Sequence, residues 1–485
     1  MLTAPMPQPK NYIADSWSEC ATIPDTWNLD PNTGEYVHAT VTSNPTDVER
    51  ALQHAIDCYG FKSWDEAASE DRALAIERAA QILETRIENI ARTDSMTSGV
   101  PISTTRQVAA FLPSRIRAAA AELRTLPRRQ ALAADGRDVR LYKVPWGPAA
   151  ILTPWNGPSF IPAAKMVSAL AAGCPVILKP SEHAPSSAQI IFECFVEAGL
   201  PPGAIQLVHG AGEVGATLTG DRRIKVVSFT GGPNAGRAIA RSAAEDFKVL
   251  QLELGGNNPV LVLADADLDV AADGILEGMT KLNGQWCEGP GKVLVHTKLK
   301  QRLIDALMDR ISGLRIGHSL DETSQLGPIS NSAHFASLLH RIDTLRAKGA
   351  TIHQSAELPD LAGFFLQPTI AEGLDHMEAT EELFGPVISV HAVDSDQDAL
   401  HAANLFPSGL DAYVFGHDLE HALAIGAQVL SGEVRINGAK IADLGEDSAQ
   451  SFWGTSGIGG HGPGESVRVF CGDRVVGVDS AALPI

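Results

Sequence analysis

The sequence predicts an α/β protein with a Rossmann-like parallel sheet, followed along the chain by a second α/β domain. From about residue 147 onward, short apolar runs alternate with segments of helical periodicity, which is typical of parallel strands covered by helices on both faces. A second alternation of the same kind begins after residue 254. The chain has 485 residues, 44% of them hydrophobic, which is enough for two or three domains with large cores.

The elements of the first alternation can be placed from the apolar pattern. Strands are predicted at 147–153, 174–180, 204–210, 225–231, 249–254 and 259–265. Helices are predicted between or after them, at 161–172, 184–199, 213–220 and 234–246. Nearer the start, Thr46 and Glu49 have the spacing of a capping box, so an amphipathic helix is expected to begin there.

Charge, cysteine usage and the apolar pattern exclude several classes of protein. A formal net charge of −20 argues against a nucleic-acid partner, because binding phosphate requires a basic surface. The apolar stretch 147–178 is interrupted by prolines and by Lys165, so no membrane span is expected. The start, MLTAPMPQPK, has no signal-peptide pattern, and the six cysteines form no C-x-x-C pair. We therefore expect a soluble cytoplasmic protein with free thiols.

Three glycine-rich stretches are candidate phosphate-binding turns. GAGEVG at 210–215 and GIGGHG at 457–462 both match G-x-G-x-x-G, a short pattern that is weak evidence alone. The second has no helix after it and is interpreted as a turn-rich loop. FTGGPNAG at 229–236 is a strand–glycine–helix junction where backbone N–H groups could meet a pyrophosphate, so a dinucleotide site and ordinary packing glycines both remain open.

The loop KLNGQWCEGPGK at 281–292 holds Cys287 between a tryptophan and a glutamate. A helix with apolar residues from Leu268 to Leu282 leads into this loop, and the strand KVLVHTK follows it. Free cysteines usually act as small buried hydrophobic side chains, whereas connections between elements more often carry function. From this loop alone, a space-filling thiol and a nucleophile both remain open.

Four other stretches accompany Cys287: TPWNGP at 153–158, LKPSE at 178–182, LELGGNNP at 252–259 and EELFGPV at 381–387. In order and spacing, the five motifs resemble those of the aldehyde dehydrogenase superfamily, the NAD(P)-dependent, hydrolytic type with a cysteine nucleophile. The resemblance covers nearly the whole chain, from NLDPNTGE near the start to SGEVRING at 431–438. It implies that Cys287 is a nucleophile, because five ordered motifs are far more specific than one.

The resemblance implies a chemical role for four residues. Cys287 would attack the aldehyde carbonyl as a thiolate, with its pKa lowered by a nearby base or helix dipole. Asn156 and the backbone N–H of Cys287 would form an oxyanion hole. Glu253 would activate water to hydrolyse the thioester, with its pKa raised toward neutrality by burial. Lys165 would belong to the same proton network. The product would be a carboxylic acid.

The resemblance also implies a dinucleotide site. Lys179 and Glu182 have the spacing at which the family binds the adenosine ribose, and a carboxylate there would repel a 2′-phosphate. NAD is therefore expected in preference to NADP, and no metal ion is implied. The other positions implied to bind the cofactor are Thr153, Pro154, Trp155, Gly212, Gly231, Gly232, Gly255, Glu382 and Phe384.

Within that set, the resemblance implies separate contacts. Glu382 would bind the nicotinamide ribose, and Phe384 would border the nicotinamide ring. Gly231 and Gly232 would form the pyrophosphate turn, with glycine at 232 where the family usually has serine. Gly212 would lie near the adenine.

The chain departs from the family where the resemblance implies the substrate pocket. Gly157 and Ala164 replace bulkier residues, so an aldehyde larger than acetaldehyde is expected to fit near Ile161. Trp286 stands where smaller residues are frequent. Lys281 replaces an apolar or aromatic residue, and its ammonium is expected either to face the tunnel, favouring an acidic substrate, or to point into solvent.

Three parts are expected along the chain: a dinucleotide-binding domain from 1–125 and 146–253, a catalytic domain at 254–455, and an oligomerisation arm with the tail from 126–145 and 456–485. The resemblance implies a homodimer or homotetramer. Two alternatives are a CoA-acylating dehydrogenase, against which Glu253 argues because such members generally lack the base, and a non-redox cysteine hydrolase or binding protein on the same fold.

Overall fold

The computed structural model describes residues 6, 8–61, 64, 69–132, 136–378, 380–405, 408–442, 444–445 and 448–479. Its α-helices are α1 (Pro45–Gly60), α2 (Ser69–Glu84), α3 (Ile87–Ser98), α4 (Ile102–Thr125), α5 (Phe160–Ala172), α6 (Pro185–Glu197), α7 (Gly212–Gly220), α8 (Pro233–Ala244), α9 (Leu268–Thr280), α10 (Lys300–Ser312), α11 (Ser332–Ala347), α12 (Asp396–Asn404) and α13 (Leu419–Gly426). Short 3₁₀ turns cover Lys281–Gly284 and Arg468–Phe470.

The strands of the first half are β1 (Lys10–Ile13), β2 (Ser16–Glu19), β3 (Ala21–Leu29), β4 (Tyr36–Thr42), β5 (Arg129–Ala131), β6 (Val139–Pro145), β7 (Ala149–Leu152), β8 (Val176–Lys179), β9 (Ile205–Leu207), β10 (Val226–Gly231), β11 (Val249–Leu254) and β12 (Asn258–Val262). Those of the second half are β13 (Pro290–His296), β14 (Thr351–His353), β15 (Thr369–Glu372), β16 (Val387–Val393), β17 (Ser408–Gly409), β18 (Asp411–Phe415), β19 (Glu433–Ile436), β20 (Gln450–Ser451), β21 (Trp453–Gly454), β22 (Gly457–Ile458), β23 (Gly460–His461) and β24 (Cys471–Gly477).

The first large sheet has eight strands in the order β2-β1-β9-β8-β7-β10-β11-β22. Its five central strands, in the order β9-β8-β7-β10-β11, are all parallel. From β7 the chain adds β8 and β9 on one side and then β10 and β11 on the other, so the switch in strand order lies between β7 and β10. Ligands of open α/β sheets bind at the carboxyl ends of strands beside such a reversal. The six strands predicted from apolar runs, including β12 of the second sheet, are all present, and the Rossmann-like prediction is confirmed.

Apolar side chains cover both faces of this sheet. Along β7, Ile151 belongs to the core formed with α2, α4, α5 and α6, while its neighbour Leu152 belongs to the core shared with α1, α7 and α8. Burial on both faces explains why the strand sequences are continuous apolar runs and do not alternate with polar residues.

The second large sheet has seven strands in the order β14-β15-β16-β13-β12-β18-β19. All neighbours are parallel except β14 and β15. The chain passes from the first sheet to the second between β11 and β12, only three residues apart. The loop that contains Cys287 precedes β13, so the two sheets meet at the candidate site.

A separate antiparallel sheet, β24-β6-β5, corresponds to the predicted β arm. The tail beyond residue 456 does not belong to the arm as a whole. β22 pairs with β11, with Glu253 opposite Gly457, so this segment extends the first large sheet. Within the predicted tail at 456–485, residues 457–458 thus pair with the first large sheet and residues 471–477 pair with β6 of the arm.

Helix α1 is present where the apolar pattern predicted it, but its cap differs from the prediction. Asn44, not Thr46, is the capping residue: its side chain accepts a hydrogen bond from the Asp47 N–H at 2.9 Å. Pro45 occupies the first turn, where its missing N–H costs nothing. The Thr46–Glu49 capping box was therefore wrong by two residues.

None of the helices in the described part of the chain is long and apolar enough to cross a lipid bilayer. All six cysteines have free thiols.

Candidate active site

Cys287 lies between the 3₁₀ turn at Lys281–Gly284 and β13. Asn258, fully buried at the start of β12, holds this loop in place. Its side-chain amide donates to the carbonyl oxygens of Cys287 and Gly289, each at 2.9 Å. Sequence reasoning missed Asn258, although it stands within the LELGGNNP motif.

Glu253, at the end of β11, faces the thiol of Cys287. The Sγ atom lies 3.9 Å from Glu253 Oε1, within reach of an S–H···O hydrogen bond. Burial raises the pKa of Cys287 well above its usual value, and the negative charges of Glu253, Glu288 and Glu382 raise it further. The expectation of a lowered thiol pKa is therefore wrong for this arrangement, and the thiol needs a base to become a nucleophile.

The carboxylate of Glu253 is held by two donors. Lys165 Nζ lies 3.4 Å from Oε2, and the hydroxyl of Thr230 donates to the same oxygen at 3.2 Å. Burial pushes the pKa of Glu253 upward, but the charges of Lys165 and His461 and these hydrogen bonds outweigh it, so the pKa lies below its usual value. The prediction of a raised pKa is wrong because it considered burial without the neighbouring cations.

His461 is a neighbour of Glu253 that the sequence reasoning dismissed with its loop. It lies on β23, which follows the β22 segment paired with Glu253. Gln251 Nε2 donates to the Gly460 carbonyl at 2.7 Å and so ties β23 to β11. The Phe452 ring packs edge-on against the imidazole, with centroids 5.3 Å apart. Within GIGGHG, the histidine was the available signal of a functional residue, but the stretch was considered only as a match to G-x-G-x-x-G.

Asn156 lies beside the nucleophile loop and is 7% exposed. Its side-chain amide donates to the Gln285 carbonyl at 2.9 Å, which fixes its orientation. An amide nitrogen carries two hydrogens, so one remains to donate to another acceptor. Asn156 and Cys287 line the same cavity, as an oxyanion hole requires.

A cavity of about 680 Å³ opens onto Cys287, Glu253, Lys165 and His461. Four of the five positions expected at the substrate pocket line it: Gly157, Ile161, Ala164 and Trp286.

Lys281 differs from both expectations for it. Its ammonium donates to Glu277 at 3.1 Å and to the Ala439 carbonyl at 2.5 Å, and lies 5.1 Å from the centre of the Trp286 ring. Its side chain is only 11% exposed, and it is absent from the described residues that line the cavity. Lys281 therefore supports the wall behind Trp286, and faces neither the cavity nor solvent.

At the carboxyl end of β8, the side chain of Lys179 is almost fully buried. Its ammonium donates to the carbonyl oxygens of Pro180 and Gly210, at 2.9 and 2.5 Å. Glu182 Oε2 lies 3.9 Å from this ammonium and is partly exposed. Thr153 follows β7 directly and donates its N–H to the Lys179 carbonyl at 3.2 Å. These residues meet beside the point where the strand order reverses.

The carboxyl group of Glu382 occupies the space beside Gly255, where a Cβ would overlap its oxygens. Burial raises the pKa of Glu382 to about 7, against the lowering effects of the Gly256 N–H and of Arg341. A residue other than glycine at 255 would displace this side chain.

Three rings form a cluster next to Glu382. Trp155 packs against Phe384, with centroids 5.5 Å apart and perpendicular planes, and against His334 at 5.2 Å. His334 Nε2 also lies 2.7 Å from the Phe384 carbonyl. Sequence reasoning missed His334, which lies in the first turn of α11 and belongs to none of the five motifs.

The glycine positions give room for a cofactor at two helix starts. Gly232 caps α8 without any side-chain hydrogen bond, and a Cβ there would meet no atom within 4 Å. Gly212, the first residue of α7, is equally open. Open N–H groups at a helix start suit a pyrophosphate, and a buried lysine with a nearby carboxylate suits a ribose. The residues therefore fit a dinucleotide.

Comparison with known proteins decides the family. The sequence model of the aldehyde dehydrogenase family matches residues 17–476. This chain belongs to the aldehyde dehydrogenase family. The reaction of this family is aldehyde oxidation. Within the described residues, no group of three or more His, Cys, Asp or Glu side chains could hold a metal ion.

Among relatives of this aldehyde dehydrogenase, geranial dehydrogenase of Castellaniella defragrans is 31% identical over 84% of this chain and 87% of its own. Betaine aldehyde dehydrogenase of Brucella anthropi is 32% identical over 89% of each chain. The crystal structure of betaine aldehyde dehydrogenase from Staphylococcus aureus in complex with NAD⁺ superposes with a TM-score of 0.93 at 27% identity, over 99% of this chain and 96% of that one.

Proposed function

We propose that this enzyme oxidises an aldehyde to a carboxylic acid with NAD, through a covalent intermediate on Cys287 that Glu253 helps to hydrolyse. The observation that carries this proposal is the 3.9 Å approach of Cys287 Sγ to the Glu253 carboxylate inside a cavity. Because the thiol pKa is raised and the carboxylate pKa is lowered, the resting pair is a neutral thiol beside an ionised base.

In the first step, Glu253 takes the proton of the Cys287 thiol as the sulfur bonds to the carbonyl carbon. The carbonyl electron pair moves to oxygen, and the negative charge is stabilised by the free amide hydrogen of Asn156 and the backbone N–H of Cys287. Lys165 keeps the Glu253 side chain in the same position whether its carboxyl group is protonated or ionised. Glu253 thus deprotonates a thiol of high pKa, and no separate histidine base is needed.

NAD, when bound, supplies the acceptor for the hydride that leaves the carbon attached to sulfur. Cys287 then carries a thioester. Glu253 releases the thiol proton to solvent and then takes a proton from water as the water oxygen bonds to the thioester carbon. The carbon–sulfur bond breaks, and Cys287 is released as a thiolate with the carboxylic acid product. Glu253 favours this hydrolytic ending over transfer to CoA.

The role of Cys287 is tested by Cys287→Ser. We expect loss of NADH formation with every aldehyde, because the hydroxyl is a far weaker nucleophile at neutral pH. NAD binding, measured by protein fluorescence quenching, should stay within a few-fold, since the cofactor residues lie on other elements. Activity near that of the wild type would contradict the proposal.

The role of Glu253 is tested by Glu253→Gln in a stopped-flow experiment. The amide cannot take a proton from water, so the thioester should accumulate. Because the Cys287 thiol also loses its base, we expect about one NADH per subunit to form more slowly than in the wild type, followed by a stall. Intact mass measured during the stall should show an acyl group on the protein. Absence of both burst and acyl adduct would mean that removal of the thiol proton, and not hydrolysis, is the step that Glu253 controls.

Preference for NAD over NADP is proposed to rest on Glu182, which is partly exposed beside Lys179. Its carboxylate would accept a hydrogen bond from a ribose 2′-OH and repel a 2′-phosphate. We expect kcat/KM to favour NAD by at least about tenfold, and Glu182→Ser to relax that ratio. Equal use of both cofactors by the wild type would refute this assignment.

The cavity volume of about 680 Å³ supports a substrate larger than acetaldehyde. We further propose a homodimer or homotetramer formed through the β24-β6-β5 sheet. We also propose that the protein is located in the reducing cytoplasm, because none of its six cysteines forms a disulfide.

A further inference from the structure

The walls of the catalytic cavity are mainly apolar. Phe160, Ile161, Trp286 and Ile441 are among the side chains that line it. Beside Cys287 the cavity is lined by the carboxyl groups of Glu253 and Glu288, and the pKa of Glu253 is lowered by its neighbours. A second negative charge placed next to the ionised Glu253 would be repelled.

Helix α4 forms the outer wall. Val108, Phe111, Arg115 and Ala118 recur at intervals of three or four residues and face the cavity. Phe111 is 56% exposed and Ala118 is also exposed, so this end of the cavity opens to solvent. The Cys287 end, in contrast, is buried.

Helix α4 carries four arginines, and three of them are paired with glutamates. Arg106 contacts Glu88 and Glu322, Arg117 contacts Glu84, and Arg124 contacts Glu70 and Glu77. Arg115 is the exception: in the described part of the chain, no carboxylate lies within ion-pair distance of its guanidinium. Among the described residues that line the cavity, Arg115 is also the only one of these four arginines.

We propose that the substrate carries an anionic group at the end remote from its aldehyde, and that Arg115 binds this group. This inference rests on the proposed function. A guanidinium pairs with a carboxylate through two parallel hydrogen bonds and stays charged at every physiological pH. The apolar walls between Arg115 and Cys287 suit a hydrocarbon body, so the substrate class is an ω-oxo carboxylic acid with an apolar middle.

Other cations near the cavity are already engaged. Lys165 lies 3.4 Å from Glu253, and Lys281 donates to Glu277 and Ala439 behind Trp286. The acidic group is thus directed to the outer end, and the aldehyde to Cys287. The ionised Glu253 beside Cys287 favours the same orientation by repulsion.

The experiment uses straight-chain aldehydes of six to ten carbons, each with either a terminal methyl or a terminal carboxylate. We expect the wild type to prefer the carboxylate-ended member at one length or more, by at least about tenfold in kcat/KM. In Arg115→Met, the acid-to-methyl ratio of kcat/KM should fall by a similar factor, and Arg115→Lys should retain part of it. Arg117→Met, on the same helix but paired with Glu84, is the matched control and should leave the ratio unchanged.

Equal kcat/KM for the two series in the wild type, or a ratio unaltered by Arg115→Met, would overturn this inference while leaving the proposed function intact. If no member of either series yields NADH in a Cys287-dependent manner, the proposed function itself fails, and this inference fails with it.

Discussion

At the scale of single residues, the charges around Glu253 determine when it can act as a base. Burial raises its pKa, while charge interactions with Lys165 and His461 lower it by stabilising the ionised form. Lys165 is itself buried, which lowers its own pKa, whereas Glu253 raises it. The base is thus kept ionised by neighbours at a depth where an isolated carboxyl group would be protonated.

We expect His461→Gln to raise the pKa of Glu253, because one of the charges that lowers it is removed. Glu253 would then stay protonated up to a higher pH, and the acidic limb of the kcat–pH profile would move upward. Steady-state kcat from pH 5 to 9 measures this shift. Profiles that superimpose on those of the wild type would show that His461 has no influence on the base.

The motifs were sufficient to predict that Cys287, Glu253 and Asn156 share one site, and the family resemblance added Lys165, which lies outside them. They could not predict pKa directions, which depend on the sum of burial and all nearby charges. Lys281 shows the same limit. The motif placed it in the loop of Cys287, but the direction of its ammonium depends on partners such as Glu277, which lie outside the motif.

At the scale of elements, the short strand β22 completes the edge of the sheet next to the catalytic base. Gly457 pairs with Glu253, and Leu254 donates its N–H to the Ser456 carbonyl at 2.9 Å. Strands of two residues cannot be recognised from apolar periodicity, which needs at least four residues to show a pattern. The long parallel strands were predictable for the opposite reason, since burial on both faces leaves a continuous apolar run.

We expect Gly457→Ala to destabilise the protein by at least about 2 kcal/mol, because φ is +137° and a Cβ would overlap the Leu252 carbonyl. The displaced strand would also move His461, so kcat should fall. Urea unfolding and kcat measure the two effects. Gly60→Ala is the control, since a Cβ at Gly60 meets no atom within 4 Å. Equal stability of the two variants would contradict the close approach.

At the scale of the whole molecule, the β24-β6-β5 sheet presents an unusual surface. β24 is an edge strand, and Val475, Val476 and Val478 are 61%, 52% and 61% exposed. Exposed apolar edge strands readily pair with another chain. The net charge of −20 opposes association of copies in general, so a specific apolar contact is needed to overcome it.

We expect the double substitution of Val475 and Val476 by Asp to reduce the proposed oligomer to a smaller species, because two charges would have to be buried in the contact. Light scattering coupled to size exclusion measures the mass. Val270→Asp, at a valine 42% exposed on α9, is the matched control and should keep the wild-type mass. An unchanged mass for the double variant would place the subunit contact elsewhere.

The pairing of β22 with β11 has a consequence for biosynthesis. Residues 457–461 are translated after every other strand of the two large sheets, yet they complete the edge on which Glu253 stands and bring His461 to it. A nascent chain that already contains Cys287, Glu253 and both sheets therefore still lacks the finished base. The environment that lowers the pKa of Glu253 is therefore complete only once residues 457–461 have been made and have paired with β11.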